Sequence, residues 1–303
     1  MTRKLTLLFL SAAVLLTSFP ATAGLRIVAT LPDLGAIAKE VGGPGVTVDV
    51  LVSHAQNPHY ADARPSHIVW LNRADLLVLN GAELEAGWLP PLIVQARNPA
   101  ILRSGDGHFD ASTHVALRGQ AGTDRAGGDV HPAGNPHFLW DPSVGAKLAL
   151  DLGRRMALLD PAGAEGYAGR AKSLAAALES LASSGRARFA ELATDRRQVV
   201  TYHASMLYVL DWLGLKTVGT VEPKPGIAPT PGHTAKVLRV MKSSMARVVL
   251  QEGYYPRSTS ETLCKLSGAQ LVVVDGGTRF SSGQTYLQHL KETSDAIFDG
   301  VSQ

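Results

Sequence analysis

The sequence predicts an α/β protein of two lobes, each a mostly parallel sheet flanked by helices, joined by one long spine helix. Three observations carry this. Short apolar or β-branched runs alternate with helical stretches between residues 25 and 80, and such alternation argues a parallel sheet. The same alternation resumes after residue 198, and a long block made mostly of helix formers lies between the two. The expected division is a leader over 1–23, an N-terminal lobe over 24–160, a linking helix over 161–193 and a C-terminal lobe over 194–303.

Leu25-Arg26-Ile27-Val28-Ala29-Thr30 reads as the first strand, followed by a helix through Ile37-Ala38-Lys39-Glu40-Val41 that stops at Gly42-Gly43. Residues 46–52 form a β-branched second strand, 65–73 a helix and 75–80 a third strand. The segment 104–135 is rich in Gly and Asp with scattered His, and it reads as a long surface loop. Residues 141–159 and 162–193 are helical; Asp160-Pro161 opens the second stretch and Gly185 is its weak point. Strand 198–202, helix 205–213 and strand 217–221 follow. A Pro-rich loop over 222–231 leads to a helix with Thr230 as N-cap and Pro231 at its first position. Residues 247–251 and 270–274 are the last strands.

Met1-Thr2-Arg3-Lys4, an uncharged apolar run to Phe19, and Ala21-Thr22-Ala23 follow the charged, apolar and A-x-A order of a secretory signal. The run is shorter than the ~20 residues of a spanning helix. Cleavage after Ala23 is expected, giving an exported periplasmic protein without a lipid anchor, because the only cysteine is the distant Cys264. That thiol reads as a small buried apolar residue. The formal charge of +3 includes Arg3 and Lys4; without the leader, 27 basic side chains face 26 acidic ones. A nearly neutral chain carries no footprint for nucleic acid.

Among the ten histidines, four sites stand out. His59 lies in Asn57-Pro58-His59, His137 in Asn135-Pro136-His137, His203 ends the strand Val199-Val200-Thr201-Tyr202, and the acid Asp275 ends Leu271-Val272-Val273-Val274. Three of the four stand at carboxyl ends of expected parallel strands, where open α/β sheets bind ligands. Proline before His59 and His137 stiffens each approach. Three neutral imidazoles and one carboxylate make a four-coordinate shell that suits zinc, whereas manganese prefers more carboxylate oxygen. Spacing alone does not separate such ligands from ordinary hydrogen-bonded histidines.

The order of motifs does. Ala29-Thr30, Asn57-Pro58-His59, Asn80-Gly81 ahead of Leu84-Glu85, Gly134-Asn135-Pro136-His137, Thr201-Tyr202-His203, Pro229-Thr230-Pro231 and the strand into Asp275 together resemble the metal-binding components of ABC importers for zinc and manganese. The resemblance covers nearly the whole chain after the leader. It implies a metal site between the lobes with ligands His59, His137, His203 and Asp275. Glu222, Glu252 or water are the substitutes for Asp275, because Gly276-Gly277 follows it where zinc members resemble Pro-Leu-Gly. A histidine at 203, where manganese members carry glutamate, implies Zn2+ rather than Mn2+. Tyr60-Ala61-Asp62-Ala63-Arg64 before Pro65 also departs from the pattern.

The same resemblance implies an ABC permease and its ATPase as partners, a periplasmic zinc chaperone as a further one, and a monomer. In the loop, His108, His114 and His131 accompany Asp106, Asp110, Asp124 and Asp129; His131, nearest His137, is the candidate for an accessory contact. No H-E-x-x-H, G-x-S-x-G or P-loop is present, so a zinc-dependent hydrolase is the weakest alternative. A metallochaperone or an adhesin on the same fold is the other.

Overall fold

A computed structural model describes residues 24–119 and 131–303. The leader expected over 1–23, and Asp124 and Asp129 of the expected loop, lie outside the described residues. The N-terminal lobe runs β1 (Arg26–Ala29), α1 (Pro32–Gly42), β2 (Thr47–Val50), α2 (Pro65–Arg73), β3 (Leu76–Leu79), α3 (Leu89–Ala96) and β4 (His108–Asp110). Its strands lie in the order β2-β1-β3-β4, all parallel, with Ile27 opposite both Val48 and Leu76. Two long helices follow, α4 (Pro142–Leu159) and α5 (Ala164–Ala190). The 27 residues of α5 span about 40 Å at 1.5 Å per residue.

The C-terminal lobe runs β5 (Gln198–Thr201), α6 (Leu207–Leu213), β6 (Lys216–Thr220), α7 (Pro231–Ser244), β7 (Val248–Glu252), α8 (Ser258–Ser267), β8 (Gln270–Val274) and α9 (Tyr286–Ser302). Its order, β6-β5-β7-β8, again all parallel, repeats that of the first sheet. Each sheet therefore turns its carboxyl-end crevice, where strand order reverses, toward the same cleft.

Local chemistry explains the helix boundaries. Pro32 opens α1 with Asp33 in its first turn, where the exposed N–H groups favour an acid. Thr230 Oγ1 accepts from His233 N at 3.2 Å to cap α7, as its sequence predicts. Thr285 and Gln288 form a reciprocal capping box on α9. Gly185 differs from the expectation. It is the notch in α5 that admits Trp212: a Cβ there would lie 2.7 Å from Trp212 Cζ2, and the indole Nε1 donates to Ala182 O at 3.0 Å. The segment 104–135 also differs from a plain loop. It contains β4, paired to β3, and a 3-10 turn over Ala111–His114.

One apolar core joins the lobes. Ile37 of α1, Leu148 of α4, Leu178 of α5, Trp212 of α6 and Ile297 of α9 belong to a single buried cluster. A second cluster, with Val237, Met241, Val249 and Leu263, fills the space under α7 and α8. Polar bolts reinforce the junction: Asp33 Oδ1 accepts from Thr278 N at 2.8 Å and from Thr278 Oγ1 at 2.5 Å. Tyr286 donates its hydroxyl to Leu139 O at 2.6 Å. No helix among the described residues is long and apolar enough to cross a membrane.

Candidate metal centre

Two N-P-H motifs fold by one device. Asn57 Oδ1 accepts from His59 N at 3.0 Å, and Asn135 Oδ1 accepts from His137 N at 3.0 Å. Each is an Asx turn in which the proline fixes φ at the middle residue. The carbonyl of Pro58 takes a bond from Trp88 Nε1 at 2.9 Å, and that of Pro136 takes one from Asn80 Nδ2 at 2.9 Å. Both turns are thereby pinned to the N-terminal lobe. His203 follows β5 by two residues, held by Tyr202 N donating to Leu250 O at 2.8 Å.

These turns bring three buried imidazoles together across the cleft. One ring nitrogen of each of His59, His137 and His203 lies within 4.8 Å of the others. His59 Nε2 and His137 Nε2 are 3.1 Å apart. Ring centroids are separated by 5.1 Å (His59 to His137), 5.8 Å (His59 to His203) and 5.5 Å (His137 to His203). A tetrahedron with metal–nitrogen bonds near 2.0 Å has edges of about 3.3 Å, so the first pair already stands at ligand spacing. Burial, with positive charge on His59, His203 and His131 as lesser causes, holds the His137 pKa well below the ordinary value. That ring stays neutral at physiological pH and keeps a lone pair for a metal.

The carboxylates are placed differently from the expectation. Asp275 is not among the clustered groups: its Oδ2 accepts from Arg279 Nη1 at 2.5 Å, and Arg279 Nη2 donates to Glu292 of α9 at 2.8 Å. This chain ties Asp275 toward α9. Asp275, expected as the fourth ligand, is paired with a guanidinium in this structure. Glu222 stands behind His203, with Oε2 2.8 Å from Nδ1. A proton on Nδ1 donates to that carboxylate and leaves Nε2 for the cleft, the orienting arrangement of metal-site histidines. Glu252 is wholly buried, accepts from Ser205 Oγ and from Tyr254 Oη, and has its pKa raised by burial.

Of the other histidines, His131 comes closest. Its ring is 5.2 Å from that of His59 and its Nδ1 lies 3.0 Å from Ala82 O. Ala82 and Glu83 both have positive φ, 50° and 64°, so a strained turn presents that carbonyl. His108 and His114 stay away: His108 Nδ1 bonds Ile101 O at 3.0 Å, and His114 stacks on Phe109 and bonds Asp151 at 2.9 Å.

Sequence reasoning missed Glu85, buried beneath the His137 turn. Its Oε1 accepts from Thr30 Oγ1 at 2.6 Å and Asn80 N at 2.7 Å, and its Oε2 from Gly81 N at 3.0 Å. It knots the ends of β1 and β3 under the residue that supports Pro136. The pairing of Glu222 with His203 was also missed. Its signal was topological: β6 lies beside β5, so the residue after one strand end meets the residue after the other.

The family model described as zinc-uptake complex component A, periplasmic (ZnuA), matches residues 27–300. The chain belongs to the ZnuA family. Its similarity to the manganese-binding lipoprotein MntA of Halalkalibacterium halodurans is 25% identity over 284 residues, covering 92% of this chain and 89% of that protein. With the iron ABC transporter substrate-binding lipoprotein MtsA of Streptococcus pyogenes serotype M1 it shares 21% over 286 residues, covering 92% and 89%. Among solved structures, a crystal structure of ZnuA superposes with a TM-score of 0.76 at 20% identity, covering 91% of this chain and 99% of that one. The manganese-bound periplasmic metal-binding protein of Candidatus Liberibacter asiaticus gives 0.74 at 18%, covering 91% and 98%.

This ZnuA-family chain is thus a metal-binding, substrate-binding component of an ABC transporter and not an enzyme. Such a component works with a permease and an ATPase. The MntA and MtsA relatives are named as lipoproteins. The single cysteine of this chain, Cys264, is buried on α8, and burial raises its pKa to about 11, which keeps it an inert thiol.

Proposed function

We propose that the chain captures zinc in the periplasm through His59, His137 and His203 and delivers it to the permease as a monomer. It takes the ion from solution or from a periplasmic zinc chaperone. The observation that carries this reading is the group of three buried imidazoles, one of them backed by Glu222. An all-nitrogen set favours zinc over manganese, which seeks carboxylate and water oxygen. The fourth position falls to water or to an exchangeable group. Asp275 enters it only by releasing Arg279 to Glu292 alone, a swap of one charge partner for another.

Competition with a calibrated chelator tests the metal. Zinc should bind at least on the order of a hundredfold more tightly than manganese, as the nitrogen donors and the Irving–Williams order require. Equal or tighter manganese binding would refute the zinc assignment while leaving the site intact. Glu222 supplies a further expected outcome. Glu222→Gln keeps the size but removes the charge that holds Nδ1–H, and zinc affinity should fall about ten- to hundredfold, the usual penalty for losing an orienting partner. Unchanged affinity in the same titration would reduce Glu222 to a bystander.

A further inference from the structure

Asn135 bonds to both sides of the cleft. Toward the N-terminal lobe its Oδ1 accepts from His137 N at 3.0 Å and its backbone N donates to Arg118 O at 2.7 Å. Toward the C-terminal lobe its Nδ2 donates to Ala204 O at 2.7 Å, and its carbonyl accepts from Tyr208 Oη at 3.0 Å. Ala204 is the residue after His203. One side-chain amide therefore bonds the backbone of His137, just before α4, with its oxygen and that of the residue after His203, just past β5, with its nitrogen. Tyr208, wholly buried on α6, also accepts from Arg118 N at 2.9 Å, so its hydroxyl fastens both strands of the same loop base.

The molecule contains its own control. Asn57 forms the same turn on His59, but among the described residues it makes no bond across the cleft. The cross-cleft grip is thus an addition at Asn135, and the turn does not require it.

We infer that Asn135 is a positioning residue that acts as a clasp, setting how fast bound metal leaves the cleft. The inference rests on the capture reading. Separating the lobes far enough to free an ion from His137 and His203 breaks the Asn135–Ala204 bond, and entry by the same route needs the same opening. The clasp is already formed in the metal-free protein, so it sets the opening step through which release and entry both pass, and weakening it speeds both. A transporter that unloads this protein has to open the clasp.

Asn135→Asp separates the two grips, because the carboxylate still accepts from His137 N but cannot donate to Ala204 O. Zinc release into an excess of fluorescent chelator, followed by stopped flow, should be about fivefold faster or more, the equivalent of one net hydrogen bond. Association should quicken by a similar factor, so that affinity changes less than either rate, and metal-free thermal unfolding should fall by no more than a few degrees. Asn57→Asp adds the same charge beside the site and keeps the turn on His59 without a cross-cleft bond to lose, so it measures the effect of charge alone, and release from Asn135→Asp should exceed it about fivefold. Tyr208→Phe removes the second cross-cleft bond and should speed release in the same direction. Equal effects of Asn57→Asp and Asn135→Asp, or no effect of Asn135→Asp and Tyr208→Phe, would overturn the clasp while zinc capture stood. If wild-type protein bound no zinc, the capture reading would fall, and the clasp with it.

Discussion

His203→Ala should lower zinc affinity on the order of a hundredfold or more. Four-coordinate protein zinc sites bind with roughly 10–16 kcal/mol, so one ligand carries about 3 kcal/mol, or two decades in affinity. His59→Ala and His137→Ala should lose comparable affinity, since all three nitrogens share one small space. Stability should separate them. Removing the His203 ring strips Glu222 Oε2 of the partner 2.8 Å away and leaves a buried carboxylate poorly satisfied, at about 1–3 kcal/mol. His59→Ala instead relieves a crowd of imidazoles whose mutual repulsion contributes to lowering the His137 pKa, so the metal-free protein should lose little. Competition calorimetry reads the affinity and urea unfolding reads the stability. Unchanged zinc binding in all three variants would sink the site.

The strand ends were legible because parallel strands buried on both faces leave apolar, β-branched runs. Ile27-Val28-Ala29 and Val248-Val249-Leu250 stand in β1 and β7, fully buried. Candidate site residues after such strands could be named from the sequence: His203 follows β5 within two residues. Helix caps were legible for the same local reason, as at Thr230. What was not legible depends on side chains meeting across elements. Asp275 was read without its partner because Arg279, four residues on, lies in a loop where no periodicity signals a contact; Glu292 of α9 fixes that guanidinium in turn. β4 was hidden inside a polar segment, since three residues, His108-Phe109-Asp110, carry too little pattern to declare a strand. Gly185 was misread because helix propensity sees a missing side chain, whereas the tertiary structure sees room for Trp212.

Metal-free protein should lose stability as pH rises through neutrality, and Glu85 should be the cause. Burial raises the Glu85 pKa from 4.5 to about 7, against the lowering effect of its bonds from Thr30, Asn80 and Gly81. Folding therefore favours the protonated acid. That contribution is complete below the unfolded value of 4.5 and disappears as pH rises through about 7. A shift of this size is worth about 3 kcal/mol, most of it lost between pH 5 and 8. The buried His137 works in the opposite sense, because its lowered pKa makes acid destabilising; a raw pH profile therefore mixes the two. Glu85→Gln isolates the carboxyl. The amide still accepts from Thr30 and Asn80 but turns a donor toward Gly81 N, a cost that does not vary with pH. Urea midpoints at pH 5, 6, 7 and 8 should show wild type losing about 2–3 kcal/mol relative to Glu85→Gln, and parallel profiles would refute the assignment. The loss should concentrate at the His137 turn, because Asn80 links the Glu85 carboxylate to Pro136 O. Hydrogen exchange near residues 80–81 and 136–137 should accordingly quicken at pH 8 in wild type, beyond the intrinsic rise, and not in the variant.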